Sequence, residues 1–249
     1  MHYKLGKKPA RPGAIRFGFE QFFSVSDLPA PPLVFGRPGL IVNWGLLGND
    51  KTGDCCWAGA AHETMMWRAW AGALVPEFSD ASVIADYSRA TGYNGTAATD
   101  QGTDMQAGAS YRRTTGITDA NGAVHKVDAY VNLPPGRLDL LASATYLLGA
   151  VGIGVELPSS ALDQFESAEP WAPVAGSHVE GGHYLPCVGR NHRGQLLVVT
   201  WGRLHAVEPS FFLTYMDEGV AYLSLEQMKG NISPRNFDEA GLRKRLAEL

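Results

Sequence analysis

Cysteine is scarce in this chain of 249 residues, which contains only Cys55, Cys56 and Cys187. A small, odd set of cysteines cannot build the disulfide framework of a compact secreted protein, so we expect a reducing compartment. Net charge is also small, because 21 Lys and Arg residues against 25 Asp and Glu residues give −4 at pH 7. Without a basic field, the composition indicates no nucleic-acid partner and no attraction to an anionic membrane.

Long apolar runs are missing as well. The longest apolar stretch, residues 138–157, is interrupted by Asp139 and by several glycines, so it is too broken to span a membrane. The basic N-terminal sequence MHYKLGKKPARPGAIRF contains no apolar core and therefore does not resemble a secretory signal. We expect a cytoplasmic or virion-associated protein.

The chain does have the composition of a globular protein, with 45% apolar and 18% charged residues. Its N-terminal 40 residues are rich in Pro, Gly and basic residues, which predicts an extended strap over 1–40. Residues 41–225 have the length of one two-lobed domain, with a helical lobe at about 45–120 and a sheet lobe at about 121–225. Residues 226–249 are predicted to form a C-terminal helical tail.

Hydrophobic periodicity separates the two lobes. A spacing near 3.6 residues predicts helices, whereas short apolar runs between turn residues predict strands. The predicted helices are Cys55–Ala71, Asp80–Thr91, Asp104–Thr115, Arg137–Leu148 and Asp238–Leu249, and the predicted strands are Val151–Leu157, His183–Arg190, Gln195–Trp201 and Val220–Leu225. Helices followed by strands indicate an α+β fold with a helical lobe, an antiparallel sheet lobe and a site in the cleft between them.

The stretch GNDKTGDCCWAGAAHE at residues 48–63 places two adjacent cysteines at the start of the first long predicted helix. Asp54 stands where an N-cap would be, so Cys55 falls in the first helical turn. The positive end of the helix macrodipole favours a thiolate there and lowers the pKa of the cysteine. A nucleophilic thiolate also needs a histidine and donors for an oxyanion.

Among the seven histidines, His183 is the candidate base. It follows Gly181-Gly182 and opens the predicted strand HYLPCVGR, which places it at the edge of the sheet lobe. His62 lies two turns along the helix of Cys55, where packing is its expected role. The other five stand in polar or loop-like contexts and are assigned no function; they are His2, His125, His178, His192 and His205.

Several segments, in the right order, resemble the papain-like cysteine peptidases. GDCCWAGA resembles their GSCWAF nucleophile segment, and GGHYLPCVGRNHRGQLLVVTWG resembles their Gly-His strand, turn and strand ending in Asn-Ser-Trp-Gly. DQGTDMQAGASYRRTTGI is similar to the Gly-Gly-Leu-Met helix between them, and the likeness extends over about 28–225. The resemblance implies a two-lobed papain-like fold, a thiol hydrolase activity, a peptide or amide as partner, and neither cofactor nor metal.

The resemblance also implies which cysteine reacts. The Gly-x-Cys frame matches Gly53, Asp54 and Cys55, and the family's oxyanion glutamine six residues earlier corresponds to Asn49. Counting from Cys56 would instead give Asp50, which cannot donate a hydrogen bond when ionised. Cys55 is therefore the predicted nucleophile. Cys56 is expected to be a small buried residue, as is Cys187.

Two positions depart from the family pattern. The asparagine that orients the histidine would fall sixteen residues after His183, at Val199, which has no polar group. Thr200 follows it and is the predicted substitute if a small register shift turns its hydroxyl to the ring; a backbone carbonyl is the alternative. Fewer than sixty residues precede Cys55, so we expect no long inhibitory pro-segment. These features are typical of a phage- or prophage-type relative.

Two other hypotheses stay open at this point. The first is a papain-fold protein that no longer catalyses and serves as a binding or structural module, for example in a virus particle; the loss of the orienting asparagine favours it. The second is metal binding by His62, Glu63 and the cysteines, which the sequence HETMMW disfavours because it lacks the HExxH spacing. For the rim of the cleft, the candidates are Trp171 and, less favoured because it is expected to be buried, Trp201.

Overall fold

A computed structural model describes residues 3–23 and 30–227 of the chain. Its helices are α1 (Phe19–Phe22), α2 (Cys55–Trp70), α3 (Asp80–Thr91), α4 (Met105–Thr114), α5 (Leu138–Leu148), α6 (Ser159–Glu166) and α7 (Pro209–Tyr215). Its strands are β1 (Phe35–Gly36), β2 (Ile117–Thr118), β3 (Val124–His125), β4 (Ala129–Asn132), β5 (Val151–Pro158), β6 (Val179–Arg190), β7 (Leu196–Thr200), β8 (Arg203–Val207) and β9 (Met216–Leu223).

One antiparallel sheet organises the second half of the chain. Its strand order is β4-β9-β5-β6-β7-β8, with the short β1 also paired to β6, while β2 and β3 form a separate ribbon. The long central strand β6 pairs with β5 on one side, where His183 lies opposite Val155, and with β7 on the other side. His183 and the strand that ends at Thr200 are therefore neighbours in the sheet.

Each face of the sheet carries its own core, because successive side chains along a strand point to opposite faces. On β6, Tyr184 and Val188 join the core that contains α2, whereas Leu185 and Cys187 join the core that contains α5 and α7. Helix α2, which begins with Cys55, is therefore packed against the strand that carries His183.

A buried polar network fixes α2 against β6. Glu63 is fully buried and pairs with Arg112 of α4, and the Tyr184 hydroxyl donates to the other Glu63 oxygen at 2.6 Å. The Arg112 guanidinium also lies 4.0 Å from the centre of the Tyr222 ring. Breaking a buried ion pair of this kind by removing one partner is strongly destabilising, so the network locks the register between Cys55 and His183.

The predicted α+β fold is confirmed, and the four predicted helices within the described residues end within one residue of their predicted bounds. The predicted strand at 183–190 begins earlier, at Val179, and the predicted strand at 220–225 is Met216–Leu223. The strands β4 and β8 and the helices α6 and α7 were not predicted, because their apolar patterns are too short. The proposed helix at 238–249 lies outside the described residues, and the domain boundaries stay predictions.

Candidate active site

Cys55 is the first residue of α2 and only 1% of its surface is exposed. Burial by itself would raise the pKa of its thiol, but the neighbouring Cys56 and His183 side chains, the charge of His183 and the Tyr184 backbone N–H together place the pKa well below its usual value. The Tyr184 N–H donates to Sγ at 3.4 Å. The environment therefore stabilises a thiolate.

Asp54 does stand at the N-cap position of α2, but its carboxyl group does not cap the helix. Its backbone carbonyl accepts the N–H groups of Trp57 and Ala58 instead, while both carboxyl oxygens are buried. Burial, together with the neighbouring Cys55, raises the pKa of this carboxyl well above its usual value.

The other two cysteines lack the features of a nucleophile. The neighbouring Cys55 and burial raise the pKa of Cys56 well above its usual value, and the Cys56 thiol donates to the Thr103 carbonyl at 3.8 Å. Burial raises the pKa of Cys187 to about 11, in the core on the opposite face of the sheet. All three cysteines are free thiols.

His183 is held by contacts on two sides. Its Nε2 lies 2.7 Å from Oγ1 of Thr200, and the Trp201 ring stacks on the imidazole at a centroid distance of 4.6 Å and an interplanar angle of 20°. Its Nδ1 is buried and makes no hydrogen bond to a nitrogen or oxygen of the described residues. This leaves Nδ1 available to the Cys55 thiol.

Val199 and Thr200 lie on opposite faces of β7. Val199 is 1% exposed and packs into the core that contains α2, where it cannot contact the imidazole through a polar group. Thr200, one residue later, presents its hydroxyl to His183. The alternation of side chains along a strand explains why the residue after the expected position makes this contact.

Asn49 lies in the loop before α2 and is 2% exposed. Its amide nitrogen donates to the Thr52 carbonyl at 3.1 Å and to the Lys4 carbonyl at 3.3 Å. The carbonyl of Lys4 thus occupies one of the two hydrogen-bond positions of this amide nitrogen. Since Lys4 belongs to the N-terminal segment, this contact depends on where that segment lies.

Residues 3–8, here called the cleft segment, run between the helical side and the sheet side of the site. The Lys7 N–H donates to the Gly182 carbonyl at 3.0 Å, next to His183. On the other side, the Thr103 N–H donates to the Gly6 carbonyl at 2.7 Å and the Lys8 N–H donates to the Thr103 carbonyl at 2.9 Å. The cleft segment is thus bound through its backbone on both sides, like an added strand.

Close packing of glycines lets the cleft segment lie so deep. A Cβ atom on Gly6 would stand 1.8 Å from the Gly53 carbonyl oxygen, two residues before Cys55. Tyr3 stacks on Trp201 with ring centroids 4.5 Å apart, so it covers the indole that covers His183. Although no long pro-segment was expected, this short segment fills the cleft. No motif used in the sequence analysis identifies it.

An open cavity of about 560 Å³ continues the cleft beyond Trp201. Tyr3, Leu46 and Arg203 are among the residues that line it. A ligand longer than the cleft segment therefore has space on this side of the histidine. In contrast, Trp171 is fully buried and its indole N–H donates to the Ala161 carbonyl at 2.8 Å, so its predicted place at the rim is wrong.

Among the described residues, no hydrogen bond or ring contact joins another histidine to the Cys55 thiol. His62 is buried in the helical lobe, where its Nε2 lies 3.0 Å from the carbonyls of Trp44 and Gly45, and burial lowers its pKa to about 4. His205 is not in a polar context as expected: it lies on β8, buried between the rings of Phe165 and Trp171. His2 lies outside the described residues.

No group of three or more His, Cys, Asp or Glu side chains in residues 3–23 and 30–227 is arranged to hold a metal ion. Glu63, a candidate ligand in the metal hypothesis, is engaged by Arg112 and Tyr184. The same described part of the chain contains no helix that is both long and apolar enough to cross a membrane.

Comparison with solved structures identifies the fold. Xylellain, a cysteine protease from Xylella fastidiosa, superposes with a TM-score of 0.63 at 13% identity and covers 90% of this chain and 98% of its own. Procathepsin B S9 from Trypanosoma congolense gives a TM-score of 0.64 at 13% identity, over 88% of this chain and 86% of its own. The Carica candamarcensis cysteine protease CMS1MS2, solved with E-64, gives 0.58 at 14% identity, over 78% and 99%.

No protein-family model matches the sequence, and no curated protein matches it either. The likeness therefore lies in the three-dimensional structure. The chain has the papain-like cysteine protease fold, as the sequence resemblance implied.

Proposed function

We propose that this protein is a cysteine hydrolase, a peptidase or amidase, whose nucleophile is Cys55 and whose base is His183. One observation carries the proposal: His183 is bound to Thr200 through Nε2 while its Nδ1 is left without a nitrogen or oxygen partner, next to a thiol whose pKa is lowered. A base that is oriented through one ring nitrogen and free at the other is the arrangement that nucleophilic catalysis needs.

The reaction begins with transfer of the Cys55 thiol proton to Nδ1 of His183. The thiolate attacks the carbonyl carbon of the substrate, and the C=O electron pair moves to oxygen. Donors for this oxyanion are the Asn49 amide and the backbone N–H of Cys55, because the first N–H groups of a helix have no partner within the helix. The tetrahedral intermediate collapses as the His183 imidazolium protonates the leaving nitrogen, which releases the amine and leaves a thioester.

Water completes the cycle. His183 removes a proton from water, the resulting hydroxide attacks the thioester carbonyl, and the Cys55 sulfur leaves as the thiolate. The acid product dissociates, and return of the proton from His183 to the Cys55 thiolate restores the first state. Because the cleft segment takes the Asn49 amide and both backbone edges of the cleft, it must move away before a substrate binds.

Alkylation by iodoacetamide at pH 6 tests the proposal. We expect Cys55 to react faster than free glutathione at this pH in the Gly6→Ala variant, whose added Cβ would collide with Gly53 and displace the cleft segment, because an ordinary thiol is then almost entirely protonated. Cys187 is the internal control, since its raised pKa and its burial make it inert. Mass spectrometry of the digested protein assigns the label, and a Cys55→Ser variant must lose both the rapid label and the hydrolysis of peptide amides. Labelling of Cys55 no faster than that of Cys187 would contradict the proposal.

A second function, the non-catalytic binding module, is favoured by one observation: the cleft is filled by the chain itself and Cys55 is almost completely buried. The Gly6→Ala variant separates the two functions, because the added Cβ would collide with Gly53 and push the cleft segment out. If Cys55 in this variant still reacts slowly and no peptide amide is hydrolysed, the module is supported and the hydrolase is not.

A further inference from the structure

The cleft segment carries one side chain into a pocket of opposite charge beside the candidate active site. The Lys7 side chain is fully buried, and its Nζ donates to Asp217 Oδ2 at 2.7 Å and to Glu218 Oε1 at 3.1 Å. Its third hydrogen bond, at 3.0 Å, goes to the carbonyl of Lys8. All three protons of the ammonium group are therefore bound.

The pocket is shaped for the stem of this side chain as well as for its charge. A Cβ atom on Gly154 would stand 2.8 Å from Lys7 Cδ, from Glu218 Cγ and from the sulfur of Met105. The absence of a side chain at Gly154 therefore makes room for the methylene chain, and the Met105 sulfur lies beside the same space. We name this site the acidic pocket, formed by Gly154, Met105, Asp217 and Glu218.

The charges in the acidic pocket match those of its occupant. Burial lowers the pKa of Lys7, but the hydrogen bond to Asp217 and the charges of Glu218 and Asp217 more than offset this, so the pKa is raised and the side chain stays charged. Burial raises the pKa of Glu218, and Lys7 opposes that rise. Two adjacent, half-buried carboxyl groups without a cation would be unfavourable, which gives the pocket a preference for a cationic side chain.

The acidic pocket also has a fixed position relative to the reacting groups. The backbone N–H of Lys7 is bound by Gly182, the residue before His183. Across the cleft, Gly6 and Lys8, which flank Lys7, hydrogen-bond to the backbone of Thr103. The Thr103 carbonyl also accepts a hydrogen bond from the Cys56 thiol. Any extended chain that uses these same backbone groups presents a side chain to the pocket within a few residues of Cys55.

We propose that the acidic pocket is the specificity site of the enzyme and selects substrates with a lysine or arginine side chain close to the scissile bond. That side chain would take the place in the pocket that the Lys7 side chain occupies in the resting protein. This proposal rests on the proposed hydrolase function. One oxygen of the pocket, Oδ1 of Asp217, is buried and accepts no hydrogen bond from the described residues, so it can accept one of the additional N–H groups of an arginine.

The test uses full-length protein with Lys7→Ala, in which the pocket is vacated. Fluorogenic peptide amides carry lysine or its uncharged analogue norleucine at each of the three positions before the cleaved bond. At one position we expect lysine to exceed norleucine in kcat/KM by about tenfold or more, the size of a charge-assisted hydrogen bond. Adding Asp217→Asn and Glu218→Gln should bring this ratio close to one, whereas Glu169→Gln, a matched change at an exposed residue, should preserve it.

A second measurement does not depend on hydrolysis. The hexapeptide YKLGKK has the sequence of residues 3–8. Its protection of Cys55 against iodoacetamide is measured in the Lys7→Ala protein and is compared with that of the same peptide carrying norleucine in place of the lysine at position 7. If the lysine peptide protects Cys55 more strongly, and if this difference is lost in the protein with Asp217→Asn and Glu218→Gln, the proposed role of the pocket is supported. This result holds even if no amide is cleaved; in that case only the hydrolase function fails. Hydrolysis without any preference for lysine, or equal protection by both peptides, overturns the specificity proposal and leaves the hydrolase intact.

Discussion

Nε2 of His183 lies 2.7 Å from Oγ1 of Thr200. The papain-like resemblance would place an asparagine one residue earlier, at Val199. The Thr200 hydroxyl on β7 thus holds the ring through Nε2, and Trp201 covers the ring face. In the proposed mechanism, Nε2 orients the ring and Nδ1 takes the thiol proton.

Replacing Thr200 tests this substitution. A neutral hydrogen bond contributes about 0.5–1.5 kcal/mol, so Thr200→Val should lower kcat about two- to tenfold with little change in KM. Thr200→Ser keeps the hydroxyl and should retain most of the activity. Steady-state kinetics on a peptide amide checks both variants. A loss of the same size in the serine variant would show that packing, and not the hydroxyl, holds the ring.

Asn49 is predicted to act on the oxyanion and not on the thiol. Asn49→Ala should lower the rate of amide hydrolysis about a hundredfold or more, the usual effect of removing one oxyanion donor. Alkylation of Cys55 by iodoacetamide forms no oxyanion, so its rate at pH 6 should not fall. The two rates are measured on the same preparation, with its urea midpoint as a check on folding. If alkylation falls in parallel with hydrolysis, Asn49 supports the thiol instead.

The cleft segment is predicted to limit access to Cys55. Gly6→Ala introduces a Cβ atom 1.8 Å from the Gly53 carbonyl, and even about 1.4 kcal/mol of destabilisation would raise the exposed population tenfold. We therefore expect iodoacetamide to label Cys55 at least about tenfold faster in this variant. Gly39→Ala is the matched control, because a Cβ atom there meets nothing within 4 Å. Equal labelling rates in the two variants would mean that the segment does not restrict access.

The neighbouring thiol is predicted to tune the nucleophile. The adjacent Cys56 thiol lowers the pKa of Cys55, so its removal raises that pKa. The thiolate fraction at pH 6 then falls, and the pH profile of Cys55 alkylation in Cys56→Ala moves to higher pH, with rates that converge with those of the unmodified protein near pH 9. Cys187→Ala, a change in the opposite core, should leave the profile in place. A profile that does not move in Cys56→Ala would contradict this role.

Local patterns were enough to predict the elements that carry the site. The helix that begins at Cys55 and the strand that carries His183 each have a strong apolar pattern and glycine or aspartate at the start, so their type and approximate bounds follow from the sequence. The predicted substitute for the missing asparagine, Thr200, is the residue that contacts His183. Its catalytic role, like those of Cys55 and Asn49, stays a prediction.

Contacts between distant parts of the chain were beyond reach of such patterns. Lys7 and Asp217 are 210 positions apart in the sequence, and no periodicity relates them. Trp171 stands in a polar loop sequence, SAEPWAPVAG, which suggested the rim of the cleft, yet it lies at the centre of a core. His205 was placed in a polar context for the same reason, since its neighbours in the sequence are not its neighbours in the fold.

The sequence by itself determined the type and order of the longer helices and strands, with a cysteine at a helix start and a histidine within a strand, because these follow from the spacing of nearby residues. Only the tertiary structure decided that the chain's own residues 3–8 lie in the cleft and that Asp217 and Glu218 receive Lys7 there. Burial, desolvation and charge pairing depend on which distant residues come into contact, and only the tertiary structure determines those contacts.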